Sequence, residues 1–381
     1  LELSDIVGQE PAMALLQRQL SGGRPHHALL FAGPRGVGRQ TTAVALARTL
    51  LCEKPGEAGA DALFAAESAG EGIVQACGKC RDCRMIDSGA HPDFQVVAKE
   101  LAAFHPDPQV RSRTMQELGI AVIKHFLIMP AGRSANRGRG KVFIVREAEL
   151  MSNAAQDALL KTLEEPPPGV TIILLTSKPD RLLPTTLSRC CRVNFRFLPR
   201  RFVTEQLAGR GMDTAEADFW AGFTAGSLGR AIALSEAGMY ATKQEIVRRL
   251  VDPAADGLGE FLTKVMDDLA EQSVKDSKKD AESPTLGKNL ASRQGAGDML
   301  ELIASLYRDA LSRCVGSETP IVNSDQPDAV DSVARRFRPE QLADIIEQLS
   351  EYERLLWRNV SAKTLWENLA ITASSAAPLR L

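Results

Sequence analysis

One short passage constrains this chain more than any other: an apolar strand that runs into a glycine-rich turn and then into a helix. His27-Ala28-Leu29-Leu30-Phe31-Ala32 reads as the strand, Gly33-Pro34-Arg35-Gly36-Val37-Gly38-Arg39-Gln40 as the turn, and Thr41 to Leu51 as the helix. A turn of this kind aims backbone N–H groups at phosphate and sets the positive end of a helix behind them. Gly33, Gly36 and Gly38 are present, but Arg39 and Gln40 stand where Lys and Ser/Thr normally follow. Arginine keeps the charge without the compact ammonium. Gln40 offers an amide in place of the small hydroxyl that holds magnesium, and Thr41 lies one helical step, roughly 100°, away. Gly33, Gly36, Gly38, Arg39 and Thr41 are therefore the residues that would line a phosphate site, while tight binding of ATP and Mg²⁺ is not expected. A glycine turn that never meets a nucleotide is the plain alternative.

The second half of such a site departs in a matching way. Lys141-Val142-Phe143-Ile144-Val145 is a buried-type strand followed by Arg146-Glu147-Ala148-Glu149, where an Asp-Glu pair would be expected. Arg146 replaces the magnesium ligand and would repel the cation, whereas Glu147 remains at the place of a water-activating carboxylate. Losses on both sides of one metal site suggest that catalysis is not required here. An exposed arginine at a strand end is the bland reading.

The surrounding pattern sets the fold class. Gln9 to Leu20 reads as an amphipathic helix, strands are predicted at 27–32, 94–97, 142–146 and 171–176, and helices at 39–51, 113–128 and 152–164. Alternation of this kind implies an α/β domain with a parallel sheet covered on both faces. After Phe197-Leu198-Pro199 the pattern turns helical and is punctuated by glycines. From about Thr242 onward it stays helical, interrupted by a polar, charge-rich stretch at 271–297 that is expected to be a mobile loop. The expected domains are 1–198, 199–241 as a small helical lid, and 242–381 as an all-helical third domain.

Ala155-Gln156-Asp157-Ala158-Leu159-Leu160-Lys161-Thr162-Leu163-Glu164-Glu165-Pro166-Pro167, then Ile172-Ile173-Leu174-Leu175-Thr176-Ser177, then Leu187-Ser188-Arg189-Cys190 occur in that order. This run resembles the AAA+ clamp-loader subunits of bacterial DNA polymerase III, and the resemblance covers about the first 240 residues. It implies an AAA+ P-loop base domain, a helical lid and a C-terminal helical collar. Arg189 resembles the arginine finger that reaches the ATP of a neighbouring subunit; the ordinary alternative is a helix-end arginine bonded to the backbone. Thr176 falls where the family places its first sensor residue. Gly226-Ser227-Leu228-Gly229-Arg230 resembles the second sensor run, but Gly229 occupies the sensing position and Arg230 is shifted by one.

The cysteines argue independently. Cys77, Cys80 and Cys83 are spaced by two residues, with Cys52 upstream after the helix that follows the glycine turn, so four thiolates are available to close a tetrahedral zinc site. Gly78 and Lys79 suit the tight turn, and Lys79, Arg81 and Arg84 would offset part of the negative charge of a four-thiolate centre. With no open position the zinc would be structural, pinning a module at about 52–84. A redox pair or free core thiols are the alternatives. The segment 53–76, rich in Ala, Gly and Glu, is expected to be a flexible insertion. The basic residues Arg133, Arg137, Arg139 and Lys141 read as a glycine-rich loop before a strand, with DNA contact as the second reading.

A formal net charge of −2 argues against the chain alone being a strong DNA binder. No apolar run reaches membrane length and the first residues are not a signal sequence, so a cytoplasmic location is expected, where clustered thiols imply metal sooner than disulfides. The family resemblance implies a non-hydrolysing subunit that closes a pentameric ring with motor ATPases and the delta subunit. It would contribute Arg189 to a neighbour and help load the sliding clamp onto primed DNA. An ATP-hydrolysing motor subunit of the same complex is the runner-up.

Overall fold

A computed structural model describes residues 2–23, 25–58, 73–111, 117–252, 257–279, 288–358 and 360–374. The chain divides into two compact units, Leu1–Pro199 and Arg200–Leu381.

The first unit opens with α1 (Glu10–Ser21), followed by β1 (Ala28–Ala32) and α2 (Arg39–Leu51). A short hairpin of β2 (Gly56–Ala58) and β3 (Ile73–Gln75) leads to α3 (Arg81–Asp87) and β4 (Phe94–Val97). Next come α4 (Pro108–Arg111) and α5 (Ile120–Ile123), which continues through a π turn at Lys124–Ile128 into α6 (Met129–Ala131). β5 (Lys141–Val145), α7 (Asn153–Glu164), β6 (Val170–Thr176), α8 (Pro184–Leu187) and β7 (Cys191–Asn194) complete it.

The main sheet has the order β4-β5-β6-β1-β7 and every pairing is parallel. A sheet covered on both faces needs strands that are apolar at every position, and β1, β5 and β6 are buried throughout. Alternate residues serve opposite layers because successive side chains point to opposite faces. Ala28, Leu30, Phe143, Val145, Ile172 and Leu174 join the core under α5 and α7. Leu29, Phe31, Val142, Ile144, Ile173 and Leu175 join the one under α1 and α2.

Several sequence expectations are corrected. β7 was not anticipated: its pattern of one buried residue, Val193, in four is too short to stand out from the turns beside it, and it is recognisable only by its pairing with β1. The helix expected at 113–128 starts at Ile120, because Leu118 bridges Met151 through backbone hydrogen bonds and Gly119 caps the helix; 112–116 lie outside the described residues. Within the insertion expected at 53–76, residues 56–58 and 73–75 are not loop but pair as β2 and β3 in an antiparallel register, Gly56 opposite Gln75. Residues 59–72 lie outside the described set.

The second unit is helical: α9 (Arg200–Ala208), α10 (Thr214–Phe223), α11 (Leu228–Glu236), α12 (Met239–Val251), α13 (Leu258–Lys279), α14 (Lys288–Cys314), α15 (Pro327–Arg336), α16 (Pro339–Trp357) and α17 (Ala362–Ser374). The expected mobile loop at 271–297 is helix on both sides of residues 280–287, which lie outside the described set. Its charged residues are good helix formers, and Ala291 and Ala296 are buried against neighbouring helices, so composition alone misjudged it. The unit carries one fully buried ion pair among the described residues, Lys243 Nζ to Asp325 at 2.7 Å. Tyr240 donates to the same carboxylate at 2.9 Å, and the ammonium lies over the Phe219 ring at 4.2 Å.

Candidate functional site

The C-terminal ends of β1, β5 and β6 bring the expected phosphate-site residues to one edge of the sheet. Ala32 pairs with Thr176, and the N–H of Gly33 donates to the Thr176 carbonyl at 3.1 Å. Gly38 caps α2 in the left-handed region at φ 97°, and Thr42, not Thr41, turns inward to donate its hydroxyl to the Gly38 carbonyl at 2.9 Å. Thr41 and Gln40 are exposed.

Charged side chains of the chain itself occupy this edge. Arg39 folds back and donates through Nε to the Pro34 carbonyl at 3.1 Å. Its pKa is lowered chiefly by burial, which the charge of Glu149 opposes. Arg35 meets Glu147 at 2.5 Å, and Lys99 meets the other Glu147 oxygen at 3.2 Å. Glu147 has a left-handed backbone, φ 47°, at the turn leaving β5. Arg146 is exposed at the strand end, held through its backbone N–H to the Val97 carbonyl at 2.8 Å.

Sequence reading missed Glu149. Its carboxylate is buried on a 3₁₀ turn at Ala148–Leu150 and accepts from the Ser177 hydroxyl at 2.6 Å. Burial pushes the Glu149 pKa up, but hydrogen bonds from Ser177 and Thr176 outweigh it, so the carboxyl lies below its ordinary value. The signal was available in Glu-x-Glu after the strand, which offers two carboxylates for one position.

Arg189 lies on the turn after α8. Its Nε and Nη2 donate to Glu164 Oε1 at 2.6 and 2.5 Å, and its Nη1 donates to the Thr185 carbonyl at 2.9 Å. Arg230 turns to the acids of α14, Asp298 at 2.9 Å and Glu301 at 2.5 Å.

The four cysteines converge. The sulfurs of Cys52, Cys77, Cys80 and Cys83 all lie within 4.8 Å of one another. Cys80 and Cys83 are 3.4 Å apart and Cys52 and Cys80 3.9 Å. Four sulfurs at about 2.3 Å from a central zinc would be separated by about 3.8 Å, so the donor set fits a tetrahedral metal site. Backbone N–H groups point at the sulfurs: Cys77 N to Cys52 and Cys80 N to Cys77, each 3.3 Å, and Cys83 N to Cys80 at 3.4 Å. The N–H groups of Lys79 and Cys80 lower the Cys77 thiol to about 6, whereas burial raises Cys52 and Cys83.

Polar partners brace this centre from behind, and here the basic loop finds its role. Arg137 bonds Asp82, the residue before Cys83, and Glu53 at 3.2 Å. His91 approaches Asp82 at 3.4 Å, and Arg139 donates to the carbonyls of Cys52 and Glu53. Asp93 fixes the loop in turn, accepting from the backbones of Asn136 and Arg137 at 2.8 Å each.

Fold and site together define a P-loop-type, AAA+-like domain with a cysteine centre, followed by a helical unit. The family signature described as DNA polymerase III, delta subunit, matches residues 8–199, and the one described as DNA polymerase III, delta subunit, C terminal, matches residues 268–371. The chain belongs to the DNA polymerase III delta-subunit family. The DNA polymerase III subunit delta' of Bacillus subtilis is 25% identical over 364 residues, 95% of each chain, and that of Escherichia coli 27% over 338 residues, 88% of this chain and 84% of that one. The subunit tau of Escherichia coli is 35% identical over 205 residues, 54% of this chain, and the chain spans about a quarter, 27%, of tau's length. Among solved structures, a DNA polymerase III gamma subunit-related protein of Thermotoga maritima is 20% identical, covering 74% of this chain and 93% of that one with a TM-score of 0.30. The RuvB branch-migration motor of the same organism is 14% identical, covering 83% and 85%, with a TM-score of 0.38.

Proposed function

We propose that this chain is the non-hydrolysing, delta-prime-type subunit of a bacterial DNA polymerase III clamp loader. One observation carries the reading: the phosphate edge is filled by the chain's own charges, with Arg39 bonded to Pro34 and Glu147 held between Arg35 and Lys99. A triphosphate would have to displace Glu147, and Arg146 stands where the magnesium ligand would be. The chain would act as a wall of a pentameric ring of motor subunits and delta, in the cytoplasm, helping set the sliding clamp on primed DNA. Arg189 would reach a neighbour's ATP, and residues 199–241 and 242–381 would serve as lid and collar. The four cysteines would hold one structural zinc: Cys52, Cys77, Cys80 and Cys83 supply four thiolates and no open position, so the metal would pin the module and perform no chemistry.

The motor-subunit reading is favoured by the 35% identity to tau over 205 residues. Calorimetry of ATP and Mg²⁺ on the isolated chain, with hydrolysis followed in the same sample, separates the two. No heat of binding and no turnover are expected; micromolar binding with turnover would replace the proposal with the motor reading.

A further inference from the structure

We propose that Glu164 is a latch that holds Arg189 against its own subunit until a neighbour's phosphate draws the guanidinium away. The inference rests on the reading of Arg189 as a residue acting in trans.

All three guanidinium nitrogens are engaged within the chain. Nε and Nη2 share Glu164 Oε1 at 2.6 and 2.5 Å, while Nη1 reaches the Thr185 carbonyl at 2.9 Å and the Ser188 hydroxyl at 3.2 Å. A residue that acts on another chain is thus folded back onto its own. Both mounts are fixed. Glu164 ends α7, where His27 donates through Nε2 to the Leu163 carbonyl at 2.8 Å and Pro166 bars further helix. α8 is docked on α7 by Gln156 Oε1, which accepts from the Leu183 N–H at 2.8 Å and the Thr186 hydroxyl at 3.4 Å. Release therefore needs only side-chain rotation at Arg189.

The strength of the contact suits a latch and not a permanent structural tie. The side chains of Arg189 and Glu164 are 34% and 46% exposed, so solvent screens the pair. One screened carboxylate competes poorly with a triphosphate carrying several negative charges at hydrogen-bonding distance. Glu164 is then a positioning residue: it keeps the neighbour's site short of its cation until the ring closes, and it leaves the closed state unaffected.

The test uses the complex reassembled from its subunits, with ATP turnover measured with and without clamp and primed DNA. Glu164→Gln is expected to raise the unstimulated rate about two- to fivefold, the population change an exposed ion pair sustains, and to leave the stimulated rate unchanged. Arg189→Ala is expected to slow stimulated turnover, and adding Glu164→Gln to it to change nothing further. If Arg189→Ala slows turnover but Glu164→Gln leaves or lowers the unstimulated rate, the latch is overturned and the trans role stands. If Arg189→Ala has no effect, the trans role itself falls, and the latch with it.

Discussion

The cysteine centre and the phosphate loop lie in the same domain, and both are built on glycine turns beside a helix, yet they have opposite fates. At the cysteines the backbone turn and the ligand set agree: N–H groups and four sulfurs converge on one point. At the loop the turn persists, but Arg39 bonds the Pro34 carbonyl and Glu147 pairs with Arg35. Here the backbone turn is evidence of the fold, and the side chains around it distinguish the two sites. Gly33 shows why the loop outlives its chemistry. A Cβ there would lie 2.4 Å from the Phe195 carbonyl oxygen, so glycine is required by the chain leaving β7, whatever becomes of phosphate.

The largest effect is expected at the cysteines: Cys80→Ser should lose about one equivalent of metal and several kcal/mol of stability in its module, read by elemental analysis and thermal unfolding. Full folding of metal-free protein would show that the two sites do not differ after all. Next, rebuilding the loop as Arg39→Lys, Gln40→Thr and Arg146→Asp should give ATP·Mg²⁺ binding by calorimetry in the micromolar range, about 8 kcal/mol, where none is expected of the natural chain. Absence of binding would mean that the Glu147 and Glu149 contacts close the site by themselves.

The glycines separate packing from chemistry. Gly33→Ala should cost about 3 kcal/mol or more in urea unfolding, because backbone must move. At Gly38 a Cβ meets no atom within 4 Å, so Gly38→Ala carries only the left-handed strain, about 1–2 kcal/mol. Equal costs would remove the claim that Gly33 is held by Phe195.

The smallest effect is a pH dependence. The Glu149 pKa is below its ordinary value of 4.5 in the folded chain, so its contribution to stability is fully present above about that pH and is lost as pH falls through the lowered value. The stability difference between the natural chain and Glu149→Gln should be flat at neutral pH and shrink only below about pH 4.5, checked by urea unfolding across pH. A difference that grows on acidification would reverse the sign assigned to the Ser177 and Thr176 hydrogen bonds.

Much of the fold was legible because its signals are local. β1, β5 and β6 are continuous apolar runs, α1 and α7 carry helical periodicity, and Pro166-Pro167-Pro168-Gly169 ends one element before the next. The ligand spacing of Cys77, Cys80 and Cys83 is equally local. What was not legible depends on partners distant in sequence. β7 exists through its pairing with β1, more than 150 residues away. Arg137 and Arg139 read as a generic basic loop, yet they bind Asp82 and the Cys52 carbonyl because β5 delivers that loop beside the cysteines.

From residue types and intervals alone follow the parallel P-loop-type sheet, the altered phosphate ligand at Arg39 and metal ligands at Gln40 and Arg146, and four thiols available to a metal. These are properties of residue type and interval, which the chain carries unfolded. Which groups meet is set by the folded chain: Glu147 is held by Arg35 and Lys99, the Glu149 carboxylate accepts from Ser177, and Arg189 is folded onto Glu164. These contacts join residues far apart in the chain, so distance and burial in the finished fold settle them and no sequence interval encodes them.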